Sequence, residues 1–337
     1  MVCSHPPQIL TITPNPALDV TLTTDTLPPG ATVRIPTGSY RLGGKGINVA
    51  AVAASAGYAT TMMAPVSASA LDFLRHYPDS IPTQPAAHWI TTPCQLRHTY
   101  ALHQSVANTT TMVTETGSAQ PSEVWTQLSE ATTDCLDQAA ATDHPIVVVI
   151  SGSWPPATPL ATITDLYQAV STHPGCAALI VDCAGEPLTA ACEHGAIVKP
   201  NLAELTETTG HTNPIDGAHA LLGRGAAAVI VSCGEDGLIA AYPSHTITAK
   251  LPYPLDGNPT GCGDALVAAL ATGHADKAPL QTIIRTAVAW SASAVLVAYA
   301  GAIDPQWEAL LHQVQLTAVP HTPPPASPPP HTRACPT

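Results

Sequence analysis

Phenylalanine is almost absent from this sequence: it occurs once in 337 residues, and aromatic residues together make up only 4%. Hydrophobic residues nevertheless account for 45% of the chain, which is ample for a core. We therefore expect leucine, isoleucine and valine, with much alanine, to fill the interior. A chain of this length suits one large α/β domain or two smaller ones.

Basic residues are also scarce, with 11 Lys and Arg against 24 Asp and Glu and a net charge of −13. This balance argues against nucleic acid and against an anionic membrane surface as partners. An anionic substrate must then be attracted locally, by the few cations that are placed at its site.

Long apolar runs are missing as well. The nearest to a membrane span, residues 287–302, is short and interrupted by polar residues. The first ten residues lack the charged start and apolar run of a signal peptide. These features predict a soluble protein of the cytoplasm.

Metal-ligand spacing is absent. The nine cysteines include no Cys-x-x-Cys pair, and the fifteen histidines show no ligand pattern. A zinc site is therefore not expected. In a cytoplasmic protein with an odd number of cysteines, free thiols are the default.

What the chain does contain is a glycine-rich helix start, Thr-Gly-Cys-Gly-Asp at residues 260–264, followed by an apolar run. Free backbone N–H groups at such a start bind anions, and the helix dipole favours negative charge there. Asp264 stands where a phosphoryl-transfer enzyme would place a base. The alternative is an acid that only caps the helix. A dinucleotide fingerprint is excluded because Leu266 occupies the third small position.

A second glycine-rich helix start lies at residues 43–50, after a predicted strand over residues 32–41. Lys45 and Asn48 are three residues apart and share one side of the first turn. A lysine with free backbone N–H groups suits a phosphate or a polyol. The alternative is a solvated lysine in a flexible turn. A P-loop is excluded because Lys45 comes one place too late after Gly43.

Strands and helices alternate along most of the chain. Residues 146–150, Ile-Val-Val-Val-Ile, form a continuous apolar run that indicates a strand covered on both faces. Further strands are predicted over residues 8–13, 58–66, 177–182, 196–199 and 226–232. This alternation predicts a three-layer α/β/α sandwich.

Two threonine-rich segments, residues 19–41 and 96–115, interrupt the alternation and read as strands with polar faces. We expect a small β-sheet lid over the open end of the main domain, with an ordinary edge extension as the alternative. Residues 1–318 would form the domain. Residues 319–337 are proline-rich, and this composition favours an extended, disordered tail.

Six motifs in fixed order give the chain a family resemblance. They are Thr-Ile-Thr-Pro-Asn-Pro-Ala-Leu-Asp at 11–19, Gly-Gly-Lys-Gly-Ile-Asn at 43–48, Ser-Gly-Ser at 151–153, Lys-Pro-Asn with Glu204 at 199–204, Ser-Cys-Gly-Glu-Asp-Gly at 232–237, and residues 258–264. The chain resembles the ribokinase-like (PfkB) carbohydrate kinases. Within that family it is most similar to the phosphosugar branch of 1-phosphofructokinase and tagatose-6-phosphate kinase.

The resemblance implies a role for each matching residue. Asp264 would be the general base, and the backbone of Gly261, Cys262 and Gly263 would stabilise the transferred phosphoryl group. The residues expected at the sugar substrate are Asp19, Gly43, Gly44, Lys45, Asn48, Arg97 and Ser153, with Lys45 and Arg97 on its phosphate. Those expected at the nucleotide are Lys199, Asn201, Ser232, Gly234 and Gly237, with Glu204 reaching Mg²⁺ through water.

The implied activity is ATP- and Mg²⁺-dependent phosphorylation of a phosphosugar, with fructose 1-phosphate as the favoured acceptor. Tagatose 6-phosphate and fructose 6-phosphate are alternatives, as are an unphosphorylated sugar or nucleoside and a non-catalytic sugar-phosphate sensor. The chain departs from the family where Thr99 replaces an Asn and Trp154 replaces a Leu. The number of subunits stays open, with a homodimer joined through the lid as one option.

Overall fold

The computed structural model describes residues 8–77, 79–82, 84–107 and 109–319. The strands within these residues are β1 Ile9–Ile12, β2 Ala17–Thr24, β3 Ser39–Gly43, β4 Thr60–Val66, β5 Ala86–Thr91, β6 Arg97–Gln104, β7 Thr109–Thr114, β8 Ile146–Ser151, β9 Cys176–Asp182, β10 Ile197–Val198, β11 Ala228–Ser232, β12 Leu238–Tyr242, β13 His245–Lys250 and β14 Gln315–Val319. The α-helices are α1 Lys45–Ser55, α2 Ala68–Arg75, α3 Ser122–Ala141, α4 Leu160–Ser171, α5 Glu186–Glu193, α6 Leu202–Thr209, α7 Pro214–Gly223, α8 Cys262–Ala275, α9 Leu280–Ala294 and α10 Trp307–Leu311.

Ten strands form one central sheet in the order β14-β13-β12-β11-β10-β9-β8-β1-β4-β5. The seven strands from β11 to β5 pair in parallel, whereas β12, β13 and β14 continue the sheet in antiparallel fashion. Every residue of β8 is buried, as the apolar run at 146–150 predicts. The parallel strands all point their carboxyl ends at one edge, where ligands bind in sheets of this kind.

Alternate side chains of the middle strands pack into two large cores, and a third, smaller core lies among β2, β3, β4, α1 and α2. Val148 and Ile150 face one core, which receives residues of α3, α4, α5, α6 and α7. Val147 and Val149 face the other, which receives residues of α1, α8, α9 and α10. The predicted three-layer α/β/α arrangement is therefore confirmed.

Alanine allows the second helical layer to pack closely. The run from Ala265 to Ala271 in α8 is buried throughout, and α8 lies against α1 and α9. The only phenylalanine, Phe73, is 41% exposed, so it adds little to the interior. Tyr167 is instead the largest side chain that is fully buried. The core is thus aliphatic, as the composition predicts.

Both threonine-rich segments contribute to a second, four-stranded sheet in the order β3-β2-β6-β7, which is the predicted lid sheet. Asp19 of β2 lies opposite Arg41 of β3 on one side and Thr99 of β6 on the other. The predicted strand over residues 32–41 is wrong for residues 32–38, because β3 begins only at Ser39. Pro36 lacks a backbone N–H, and Gly38 disfavours extended pairing, so this stretch stays irregular.

The predicted tail, residues 319–337, lies outside the described residues except for Val319, which ends β14. Strands β5 and β14 are absent from the prediction; both pair at the outer edges of the central sheet, where the apolar signal is weak. In the part of the chain that the structure describes, no helix combines the length and apolar character needed to cross a bilayer.

Candidate active site

Polar and charged residues gather at the carboxyl edge of the central sheet. Asp182 ends β9, Lys199 follows β10, and Ser151 ends β8. The first turns of α1, α6 and α8 begin at the same edge, and α1 and α8 carry the two glycine-rich starts. The fold thus brings helix N-termini and strand ends together, which concentrates backbone N–H groups around one cleft.

A buried acid, Asp182, organises this edge. One of its oxygens lies 3.1 Å from the ammonium of Lys45 and 3.3 Å from that of Lys199. The hydroxyl of Ser151 donates to the other oxygen over 3.4 Å. Burial alone would raise the pKa of Asp182, but Lys199 and Lys45 outweigh it and hold the pKa below its usual value. Asp182 is therefore a carboxylate between two ammonium groups.

The sequence reasoning missed Asp182, although a signal exists. Its strand is apolar up to that point, and an acid at the end of a buried parallel strand is placed at the ligand edge of the sheet. Acids are rarely fully buried unless they are paired, so this position belongs with the site residues.

Lys45 lies on the acidic side of the site. Its ammonium pairs with Asp182 and lies 4.0 Å from a carboxylate oxygen of Glu204. Burial lowers the pKa of Lys45, but Asp182, Glu204 and Asp264 together raise it above its usual value. The structure thus groups Lys45 with residues predicted to meet the nucleotide. Its predicted contact with the substrate phosphate stays a prediction.

Asp264 lies in the first turn of α8 and is only 7% exposed. The side-chain amide of Asn48 donates to its Oδ2 over 2.8 Å, which ties the start of α1 to the start of α8. Burial, then the charge of Asp182, raises the pKa of Asp264 to about 7, against the opposing effects of Asn48, Lys45 and Lys199. A carboxyl group with that pKa can accept a proton near neutral pH.

The glycine-rich turn before α8 packs closely against its neighbours. Gly261 has φ +90°, and a Cβ there would lie 2.7 Å from Cα of Ala300, so only glycine fits. A Cβ on Gly263 would lie 3.5 Å from the Lys199 ammonium, which places that cation beside the turn. Cys262 opens the helix, and burial raises the pKa of its thiol to about 11, so it is not a ready nucleophile.

The lid contributes Asp19, whose carboxylate fills the space above Gly43. A Cβ on Gly43 would stand 1.9 Å from Asp19 Oδ2, which explains the glycine. Burial raises the pKa of Asp19 to about 6, although Arg97 and Arg41 oppose it. Asp19 is therefore a half-buried acid at the predicted sugar end of the site, and its contact with sugar hydroxyl groups stays a prediction.

Arg97 joins the lid to the main domain. Its Nε donates to the backbone oxygen of Asn15 over 3.1 Å, and Nη1 lies 3.4 Å from the hydroxyl of Thr99. Asn15 in turn donates to the hydroxyl of Ser153 over 3.2 Å. Asp19, Arg97 and Ser153 thus form one connected group. At its centre lies Asn15, which was not predicted as a site residue.

The predicted nucleotide residues follow the neighbouring strands. Asn201 and Glu204 form a reciprocal capping box at α6, with both hydrogen bonds at 2.9 Å. Asn201 also forms a β-bridge with Ser232, so these residues are adjacent. Packing alone requires glycine at position 237, because a Cβ there would stand 2.0 Å from the backbone oxygen of Ala249. Gly234 faces open space, with nothing within 4 Å of an added Cβ.

Two neighbouring groups result: the predicted sugar end on the lid, and a cluster of lysines and acids at the strand ends. An acid in the first turn of a helix, glycine amides beside it, the buried Lys199 and the half-buried Lys45 are the parts of a phosphoryl-transfer enzyme. Since Gly43, Gly44 and Lys45 are consecutive, one turn connects both groups.

Comparison with known proteins agrees with this class. Residues 16–309 match the model of the pfkB family carbohydrate kinases. The chain is 32% identical to 1-phosphofructokinase of Xanthomonas campestris pv. campestris, covering 84% of this chain and 90% of that one. It is 29% identical to ATP-dependent 6-phosphofructokinase isozyme 2 of Escherichia coli, covering 86% and 93%.

Among solved structures, a possible 1-phosphofructokinase from Thermotoga maritima superposes with a TM-score of 0.80 at 19% identity, covering 93% of this chain and 99% of that one. The chain belongs to the pfkB family of carbohydrate kinases. The predicted family, fold and enzyme class are therefore confirmed: it is a phosphotransferase that acts on a sugar hydroxyl, with ATP as the donor.

We expect Asp182→Asn to destabilise the fold by about 3–5 kcal/mol, because it leaves the buried Lys199 ammonium without its counter-charge. Urea unfolding measures the change. Asp72→Asn is the matched control, since Asp72 forms an exposed ion pair with Arg75 whose loss should cost less than about 1 kcal/mol. Equal stability of the two variants would show that Asp182 is not the counter-charge on which Lys199 depends.

Proposed function

We propose that this kinase transfers the γ-phosphoryl group of ATP to the 6-hydroxyl of fructose 1-phosphate and forms fructose 1,6-bisphosphate. The observation that carries the proposal is the placement of Asp264. This carboxyl group is buried beside a glycine turn and two lysines, is held by Asn48, and has a pKa near neutrality.

The reaction follows from these positions. Asp264 takes the proton from the sugar 6-hydroxyl group. The oxygen of that hydroxyl group forms a bond to the γ-phosphorus, while the bond from the γ-phosphorus to the ADP oxygen breaks. The amides of Gly261, Cys262 and Gly263, with Lys45 and Lys199, stabilise the negative charge of the transferred group. The proton then leaves Asp264 for solvent.

The lid cation Arg97 supports a phosphorylated acceptor. Arg97 is held by backbone and hydroxyl oxygens, and its charge, like that of Arg41, lowers the pKa of Asp19. An uncharged sugar needs no such cations, whereas a planar guanidinium suits a phosphate dianion. The relative from Xanthomonas campestris pv. campestris favours fructose 1-phosphate. The Escherichia coli relative keeps fructose 6-phosphate as the second candidate, and tagatose 6-phosphate is the third.

Magnesium fits the site through water. The described residues contain no cluster of three or more His, Cys, Asp or Glu that could hold a metal by themselves. Glu204 is engaged in its capping box and faces Lys45, which leaves it suited to an indirect role. Mg²⁺ commonly keeps several waters and takes substrate phosphates as ligands, and its charge would offset that of the ATP phosphates.

The lid would exclude water during transfer, which limits hydrolysis of ATP. Its outer strand β7 is exposed along its whole length and carries Met112 and Val113, which are 46% and 51% exposed. An exposed edge strand with apolar residues favours pairing with a second copy. We therefore keep a homodimer joined through the lid as part of the proposal.

A substrate panel tests the proposed acceptor. We expect the highest kcat/KM with fructose 1-phosphate, lower values with tagatose 6-phosphate and fructose 6-phosphate, and the lowest with free fructose, since only the phosphosugars carry a phosphate for Arg97 to bind. ADP release in a coupled assay is the measurement. Preference for an unphosphorylated sugar contradicts the assignment, and sugar-phosphate binding without ADP release indicates a sensor.

Asp264→Asn should lower kcat by about 10²–10⁴-fold, because general-base help is lost while the fold and the nucleotide contacts remain. Turnover and calorimetric ATP binding are measured together. The control is Asp276→Asn at the other end of the same helical region, where the carboxylate accepts from Tyr58. Turnover at the wild-type rate in Asp264→Asn refutes the base assignment.

The pH profile provides a further check. Asp264 must be deprotonated to accept a proton, so kcat/KM should fall about tenfold per pH unit below about pH 7 and level off above it. Asn48→Ala removes a hydrogen bond that lowers the pKa of Asp264, so kcat/KM of this variant should begin to fall at a higher pH. Asp182→Asn removes a like charge, so the fall should begin at a lower pH. If neither variant shifts the pH at which kcat/KM falls, the titrating group is not Asp264.

A further inference from the structure

Residues 295–301, here called the cover segment, connect the end of α9 to the region before α10 and lie over the catalytic turn. The backbone N–H of Asn258 donates to the oxygen of Val295 over 2.8 Å. The side-chain amide of Asn258 donates to the oxygen of Ala298 over 3.1 Å. The cover segment is therefore fastened to the loop that leads into α8.

The same segment touches both residues that set the position of the base. Ala300 lies against Gly261, because a Cβ added to Gly261 would stand 2.7 Å from Cα of Ala300. A Cβ on Gly301 would stand 3.2 Å from Oδ1 of Asn48, the residue whose amide holds Asp264. A shift of the cover segment would therefore be felt at the catalytic turn and at Asn48.

One side chain of the cover segment reaches the lid. The guanidinium carbon of Arg41 lies 4.1 Å from the centroid of the Tyr299 ring, which is the geometry of a cation–π contact. Tyr299 remains 53% exposed, so burial in a core does not account for its position. This tyrosine has no part in the reaction as derived above.

Arg41 belongs to the sugar end of the site. It lies directly opposite Asp19 in the lid sheet, and its charge lowers the pKa of that carboxyl group. The chain of contacts therefore runs from Asp19 through Arg41 and Tyr299 to the cover segment, and from there to the turn before Asp264. These contacts connect Asp19, which is proposed to hold the sugar hydroxyls, to Asp264, which is proposed to take the proton.

The geometry points to Arg41 and Tyr299 as positioning residues that fasten the lid to the catalytic turn. This inference rests on the proposed function of the same site. The fastening restricts how far Asp19, and the sugar it holds, can move relative to Asp264. Transfer depends steeply on such alignment, because a misplaced hydroxyl loses the advantage of proximity. Neither residue is among those predicted at the nucleotide, so we expect ATP binding to be independent of the fastening.

A double-mutant cycle on the full-length kinase tests this inference. Tyr299→Leu should lower kcat/KM for the phosphosugar by about two- to fivefold, the range of an exposed cation–π contact, with KM for ATP unchanged. Tyr299→Phe keeps the ring and should restore the wild-type value. In an Arg41→Met background, Tyr299→Leu should have no further effect. Tyr253→Leu, at an exposed tyrosine that donates to Gln313, is the matched control.

Hydrogen exchange gives a second readout that needs no substrate. The amides of β3 should exchange faster in Tyr299→Leu and in Arg41→Met, but not in Tyr299→Phe or Tyr253→Leu. Additive effects in the cycle, or unchanged exchange in Tyr299→Leu, would overturn the inference. A wild-type protein that phosphorylates none of the sugars defeats the proposed function instead, and the exchange experiment still decides whether the fastening exists.

Discussion

The site depends on one ion-paired carboxylate, Asp182, at the end of a buried strand. Two ammonium groups within 3.3 Å keep it charged in an environment that would otherwise favour the neutral acid. The same pairing holds Lys199, which is buried and needs a counter-charge, and the half-buried Lys45 beside it. It also places a negative charge near Asp264, which helps to raise the pKa of that residue toward neutrality. One residue thus positions both cations and raises the pKa of the proposed base.

Because the chain has few basic residues, the position of each cation is important for attracting anionic substrates. With a net charge of −13, the protein repels ATP and sugar phosphates at long range. Its few cations must act at close range, and the structure puts Lys45, Lys199, Arg97 and Arg41 at or beside the site. Because these cations are half-buried or buried, salt screens them less than it screens exposed charges. Attraction is therefore restricted to the cleft.

The sequence predicted the layers, and the structure brings together most of the residues predicted for the site. The run at 146–150 indicates a strand covered on both faces, and the glycines before Asp264 and Lys45 indicate helix starts that suit anions. Asp182 and Asn15 were not predicted because their importance arises from contacts 137 and 82 residues away in sequence. Residues 32–38 are irregular although their polarity pattern predicts a strand, because Pro36 lacks a backbone N–H. Pairings across elements leave little local signal, and for Asp182 the signal is only the position of an acid at the end of an apolar strand.

Glycine at positions 43 and 261 lets neighbouring elements approach closely. At each position a side chain would collide with a neighbour, which is Asp19 of β2 at Gly43 and Ala300 of the cover segment at Gly261. Close approach is therefore built into the backbone at both positions. The contact between Arg41 and Tyr299 acts between the lid and the cover segment through a weak, exposed attraction. In the proposed function, the rigid backbone would set the closest approach, and the weak contact would let the lid open for sugar exchange while favouring the aligned state.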